Sequence, residues 1–247
     1  MRTAFVLLTC LLFTSSIRAD ATSDAQAIIE RAIRMQAGSV DKLEALRSWT
    51  QSMNGQLYAP NGEIMATKEI QLQGTDQFRG VFNLTVGQRM IRTTIGIDGE
   101  KGWCVFPTGQ VEDLTLSQIN DFRDEMYVMS LTTLVPLKSK GLTFESLADT
   151  KINGVEVTGF KVSQTDRPTV SIYFDKKTGL LLKTSFPGKE AGVRVTKESV
   201  FTDYKEFAGI MLPTKIMEHH NNNKAGNWTI TNYSFGGKID AKVFAKP

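Results

Sequence analysis

The run WTQSMNGQLYAPNGEIMATKEIQL, residues 49–72, carries two alternating patterns back to back. Trp49, Met53 and Leu57 point one way; Thr50, Ser52, Asn54 and Gln56 point the other. That period of two belongs to a strand with one apolar face. Asn61-Gly62 is a dipeptide favoured in two-residue hairpin turns. Beyond it, Ile64, Ala66, Ile70 and Leu72 share one face of a return strand. The segment predicts an antiparallel hairpin.

The pattern continues downstream. A third strand alternates Phe78, Phe82, Leu84 and Val86 with Arg79, Asn83 and Thr85, and a fourth carries Ile91, Thr93, Ile95 and Ile97. Asp98-Gly99 signals a turn, and Trp103 to Phe106 reads as a short fifth strand. Ser117 to Leu134 then breaks the period: Ile119, Phe122, Met126 and Met129 recur at intervals of three and four, with Pro136 as the helix stop. Strands resume after Gly141 and run to Phe235, with a bulge expected where the alternation changes phase at Gly159. Upstream, Ile28/Ile29, Ala32/Ile33 and Met35 form one helical stripe, and Val40, Leu43 and Leu46 a second after Gly38.

About ten strands with one apolar face each must close on themselves or be covered. The expected class is mainly β (α+β): a strongly curved antiparallel sheet or unclosed half-barrel. Two N-terminal helices and one central helix plug its concave side. No linker, low-complexity run or short repeat divides the chain, so residues 20–247 are expected to form a single domain.

Residues 1–19 read as a cleaved signal peptide. Arg2 precedes an apolar run from Ala4 to Phe13, and Ala19 and Ala21 offer small residues for cleavage after either position. The run is too short for a membrane helix, which needs about 20 apolar residues. Cys10 lies within the run and is read as leaving with the leader, making a soluble periplasmic protein the expectation over a lipid-anchored one. The leader takes Arg2 and Arg18 with it and leaves 27 basic against 26 acidic residues. Such a balance does not favour nucleic acid as a partner. No later stretch is apolar enough to make an integral membrane protein. Only Cys104 then remains, so no internal disulfide can form.

Several stretches resemble the outer-membrane lipoprotein-sorting, LolA-like superfamily. They are Ala37-Gly38-Ser39-Val40-Asp41-Lys42-Leu43, Tyr173 through Asp175-Lys176-Lys177-Thr178-Gly179 to Leu181, Asp203-Tyr204, Gly209-Ile210-Met211-Leu212-Pro213, and the ending Lys238-Ile239-Asp240 through Phe244 to Pro247. The resemblance implies an open antiparallel half-barrel with helices over its mouth, acting in the envelope of double-membrane bacteria and holding acyl chains. A similar module occurs beside extracellular zinc peptidases, which adds an accessory role as an alternative. The matched motifs are turn and strand signatures, so they speak to fold more than to activity.

Catalytic and metal chemistry find no foothold. His219 and His220 are the two histidines, and neighbours on a strand point to opposite faces. Cys104 sits in an apolar run with no adjacent cation to activate it. Asp121, Asp124 and Glu125 read as a solvated helix face. Phosphate loops and nucleophile elbows are missing, so no enzyme, metal or cofactor is expected. A binding site is expected instead, lined by Trp103, Phe106, Phe122, Met126, Tyr127 and Met129. Its ligand is a hydrophobic small molecule or a lipoprotein acyl chain. An envelope protein partner, for a ligand-free structural or interaction module, is the alternative.

Overall fold

The computed structural model describes residues 16–190 and 192–247. Residues 1–15, most of the expected leader and with it Cys10, lie outside the described residues. Two meanders build one sheet. The first comprises β1 (Ser48–Ala59), β2 (Gly62–Gln73), β3 (Gln77–Val86), β4 (Arg89–Asp98), β5 (Lys101–Val105) and β6 (Val111–Asp113). The second comprises β7 (Thr143–Ile152), β8 (Val155–Ser163), β9 (Val170–Asp175), β10 (Leu181–Glu190), β11 (Val193–Phe207), β12 (Ile210–His220) and β13 (Asn223–Phe235). β1 pairs with β13, so the meanders join at their first and last strands in the order β6-β5-β4-β3-β2-β1-β13-β12-β11-β10-β9-β8-β7. Every pairing is antiparallel, and the sheet stays open with β6 and β7 at its edges.

Thirteen strands replace the expected ten or so. β6 has three residues, too few to show a period. β7 carries few apolar residues, and an irregularity in register between Leu147 and Thr150 interrupts its alternation before Ile152. The bulge expected at Gly159 therefore sits on the neighbouring strand, opposite the phase change. The first hairpin also differs in detail. Ala59 pairs with Gly62, so Pro60 and Asn61 form the corner, and Gly62 follows at φ +122°, which its missing Cβ permits.

Three α-helices accompany the sheet among the described residues: α1 (Ser16–Ala37), α2 (Val40–Leu43) and α3 (Leu116–Leu131). Gly38 closes α1 at φ +79°, its amide donating to the Arg34 carbonyl at 3.0 Å. α2 is a single turn that passes into a 3-10 turn over Glu44–Arg47, shorter than the helix expected there, yet Leu43 and Leu46 are buried as their spacing implied. A capping box starts α3. The Gln118 amide donates to Thr115 Oγ1 (3.3 Å), and the Thr115 amide donates to Gln118 Oε1 (2.9 Å). α3 ends three residues short of Leu134, which adopts φ +65°; Pro136 lies in the following 3-10 turn, Val135–Lys138.

The connection through α3 carries the chain from one sheet edge, β6, to the other, β7. In doing so α3 spans both halves of the core. Tyr127, Val128 and Leu131 join a cluster with α1, Phe160, Phe174 and Phe201, while Ile119 and Met126 join a second with Trp49, Leu72, Phe78 and Trp228. α1 is tied to the β9–β10 turn by Arg31, which donates to the carbonyls of Lys176 (2.5 Å) and Lys177 (3.2 Å). The turn holds itself through the Asp175 carboxylate, which accepts from the Lys177 and Thr178 amides.

Candidate binding cavity

A cavity of about 180 Å³ lies at the seam between the two core clusters. Its floor is the concave face of β1, β2 and β10–β13; α3 roofs it with Glu125, Val128 and Met129, and the residues just past its end add Thr132 and Thr133. The end of α1 contributes Gln36. Apolar walls come from Trp49, Met53, Ile70, Phe186, Phe201 and Ile216.

Trp228 packs behind this floor, against Lys68 and Glu218 of its lining. It pairs directly with Gly55, and its ring lies so close that a Cβ on Gly55 would approach the ring to 2.8 Å, and one on Gly226 would approach Nε1 to 2.6 Å. Two glycines thus let an indole lie flat on the sheet. The indole N–H donates to Glu218 Oε2 (2.8 Å), and the Lys68 ammonium sits 3.7 Å above the ring centroid. Burial alone would push the Glu218 carboxyl up, but Lys68 and the Trp228 N–H outweigh it and hold it below the usual carboxylate range.

The roof is latched by ion pairs along α3. Asp121 meets Lys189 of β10 (2.7 Å), Asp124 meets Arg167 of the β8–β9 loop (3.6 Å), and Glu125 meets Lys197 of β11. The supposed solvated face of α3 is in fact its attachment to the rim. Burial pushes both the Asp124 and Glu125 carboxyls up, with Arg167 and Lys197 only partly opposing it.

Of the six residues expected to line a site, Met129 lines this cavity. Met126 and Tyr127 are buried one turn away in the two core clusters, and Phe122 stacks on Phe78 with centroids 6.2 Å apart. Trp103 faces away. It stands opposite Gly96, whereas the neighbouring Ile95 and Ile97 belong to the core side, so strand alternation puts Trp103 on the other face of the sheet. There its indole donates to the Phe244 carbonyl at 2.9 Å. Phe106 is exposed at the β5–β6 hairpin. His220 Nδ1 lies 2.9 Å from Glu190, and no group of three or more metal-binding side chains occurs among the described residues. Cys104 is buried beside Ile95, and burial followed by the Glu112 charge pushes its thiol up.

What the sequence reading missed is the polar part of the floor: Gln51, Lys68, Thr184, Ser199 and Glu218 all line the cavity. A signal existed. Gln51 stands between Trp49 and Met53 on the apolar face, and Lys68 between Ala66 and Ile70. Polar residues at core-facing positions of an alternating strand mark either an error or a function.

An open antiparallel half-barrel, one face covered by helices over a cavity, defines the LolA-like class of fold, and this chain has it. The likeness is one of fold alone. No protein-family model and no curated protein sequence matches the chain. Among solved structures it is similar to a LolA superfamily protein from Nitrosomonas europaea, 15% identical with a TM-score of 0.56, covering 90% of this chain and 97% of that one. A putative outer membrane lipoprotein-sorting protein domain from Vibrio parahaemolyticus is 14% identical at a TM-score of 0.52, over 87% of this chain and 97% of that one. A DUF1329 family protein from Desulfovibrio piger gives 11% identity and a TM-score of 0.56, over 90% and 97%.

Proposed function

We propose that this protein is an exported, periplasmic carrier or binding protein that shelters a hydrophobic ligand, a lipid or the acyl chains of a lipoprotein, in the cavity beneath α3. The observation that carries this reading is the seam itself. Two core clusters meet under one helix and leave space between them rather than merging. The similarity to a putative lipoprotein-sorting domain supports the ligand class. Each sheltered CH₂ is worth ~0.8 kcal/mol, so an acyl chain binds without a charged anchor.

Size makes α3 the lid. An engineered cavity of about 150 Å³ in another protein holds benzene, and pockets for larger ligands run to about 300–1,000 Å³. The 180 Å³ found here suits the closed form. A long chain enters as α3 lifts from the rim and the two clusters part. Transfer then consists of exchanging one apolar environment for another, with no bond made or broken.

Solvent extraction and mass spectrometry of protein purified from its native envelope test the reading. Stoichiometric co-purifying lipid supports it. A clean protein that also fails to bind acyl probes overturns it in favour of a ligand-free interaction module. N-terminal sequencing of the exported form tests the leader: a start at Asp20 or Thr22 is expected, and a retained Met1 refutes it.

A further inference from the structure

We propose that the cavity takes an acyl chain together with the uncharged ester or amide carbonyl beside it, the carbonyl accepting from the hydroxyls of Thr184 and Ser199 in a polar row that Glu218 completes. The inference rests on the carrier reading and specifies its ligand.

Register builds the row. Thr184 of β10 stands opposite Ser199 of β11, and Ser199 stands opposite Glu218 of β12. Directly opposed residues share a face, so the three side chains lie side by side on the cavity floor at roughly 4.8 Å per strand. Thr184 is 1% exposed, and neither its hydroxyl nor that of Ser199 has a hydrogen-bond partner among the described residues. The Gln36 amide, 4% exposed at the end of α1, lines the same cavity and is equally unpartnered. A buried hydroxyl without a partner is costly, and valine would fill the Thr184 site at the same volume. Donors kept at such positions suit an acceptor that arrives with the ligand.

Charge narrows the acceptor. Lys68 is the cation on the lining, and its ammonium already bridges both Glu218 oxygens at 3.2 and 3.3 Å; Glu125 is paired with Lys197. A carboxylate or phosphate buried here would find no free counter-charge and lose its hydration. A bare hydrocarbon would leave the hydroxyls unsatisfied. A neutral carbonyl accepting from Thr184 and Ser199 avoids both costs. Glycerides and the acylated N-terminus of a lipoprotein share this chemistry.

The test uses delipidated full-length mature protein and displacement of the neutral apolar probe N-phenylnaphthylamine. The competitors are fourteen-carbon chains: methyl ester, N-methyl amide, carboxylate and plain alkane. One or two hydrogen bonds predict that ester and amide compete about tenfold better than alkane or carboxylate. In Thr184→Val/Ser199→Ala that advantage should vanish while alkane competition stays unchanged. Thr184→Val alone should raise the melting temperature by about 2–4 °C, because it removes an unsatisfied buried hydroxyl. Carboxylate competing best, an ester advantage surviving the double variant, or a double variant that fails to fold would each overturn the proposal. Alkane competing as well as ester defeats this inference alone, whereas a protein that binds neither probe nor competitor defeats the carrier reading with it. Diacylglycerol and a diacylated cysteine peptide then separate the two sources, and a failure of both to outcompete alkane also overturns the proposal.

Discussion

The Lys68 ammonium lies 3.2 Å from Glu218 Oε1, although β2 and β12 are three strands apart. In a flat sheet that separation is about 14 Å. The pair closes because the face is concave and because Gly55 and Gly226, between the two residues, leave room for the flat ring of Trp228. One ion pair thus reports the curvature of the sheet.

Breaking it from one side should be costly. Lys68→Met leaves a largely buried carboxylate held by one indole N–H, and Glu218→Gln leaves an ammonium without a counter-charge. Loss of one partner of a fully buried pair costs about 3–5 kcal/mol. Glu218 keeps 30% side-chain exposure, so about 1–3 kcal/mol is expected here. Urea denaturation of both single variants and the double Lys68→Met/Glu218→Gln checks this, the double variant losing less than the sum of the two.

Met126 and Met129 are one turn apart but should behave differently. Met126 is fully buried in the core, and Met129 lines the cavity. Met126→Ala is expected to cost about 2–5 kcal/mol, and Met126→Asp to unfold the domain. Met129→Asp should leave circular dichroism unchanged and abolish displacement of an acyl probe. A folded Met129→Asp variant that binds like the parent would mean that the chain sits elsewhere.

Acid should tighten the lid rather than release it. Closure buries the Asp124 and Glu125 carboxyls and pushes both up, past the opposition of Arg167, Lys189, Lys197 and His220 and with the added repulsion of Asp121 and Glu218. In an open lid they return toward the ordinary value of about 4.3 for Glu and 3.9 for Asp. The closed form therefore holds more protons, and closure strengthens as pH falls through the raised values. Glu218 has the opposite sign: its contribution is present above about 4.3 and is lost as pH falls through its depressed value. Hydrogen exchange, corrected for intrinsic rates, should show α3 amides better protected at pH 5 than at pH 7.5. Weaker protection at pH 5 would mean that the ion pairs dominate the latch.

Phe244 should matter for stability and not for binding. It is fully buried on the far face of the sheet, where its carbonyl accepts from Trp103 Nε1. Trp103 in turn covers Gly96, where a Cβ would meet the ring at 2.2 Å. Phe244→Ala is expected to cost about 3–5 kcal/mol in denaturant unfolding and to leave acyl-probe affinity within twofold.

Local period alone determined most of the architecture. Alternation in residues 49–97 announced the first four strands, three-and-four spacing announced α3, and turn chemistry placed the hairpins, because each signal is written within a few residues. Signals failed where the chain departs from regularity: β7 with its register shift, β6 with its three residues, and the start of β10, where a shift between Leu181 and Lys183 turns Leu181 rather than Leu182 onto the core side with Thr184 and Phe186. The candidate lining taken from α3 kept Met129, while Trp103 turned to the opposite face. Apolarity marks a residue for burial without saying against which neighbour. Pairing of β1 with β13 brings Gln51, Lys68, Thr184, Ser199 and Glu218 around one cavity from positions up to 167 residues apart. Only that closure of the chain's ends decided where the polar floor lies, because cross-strand register, unlike periodicity, is a property of two segments at once.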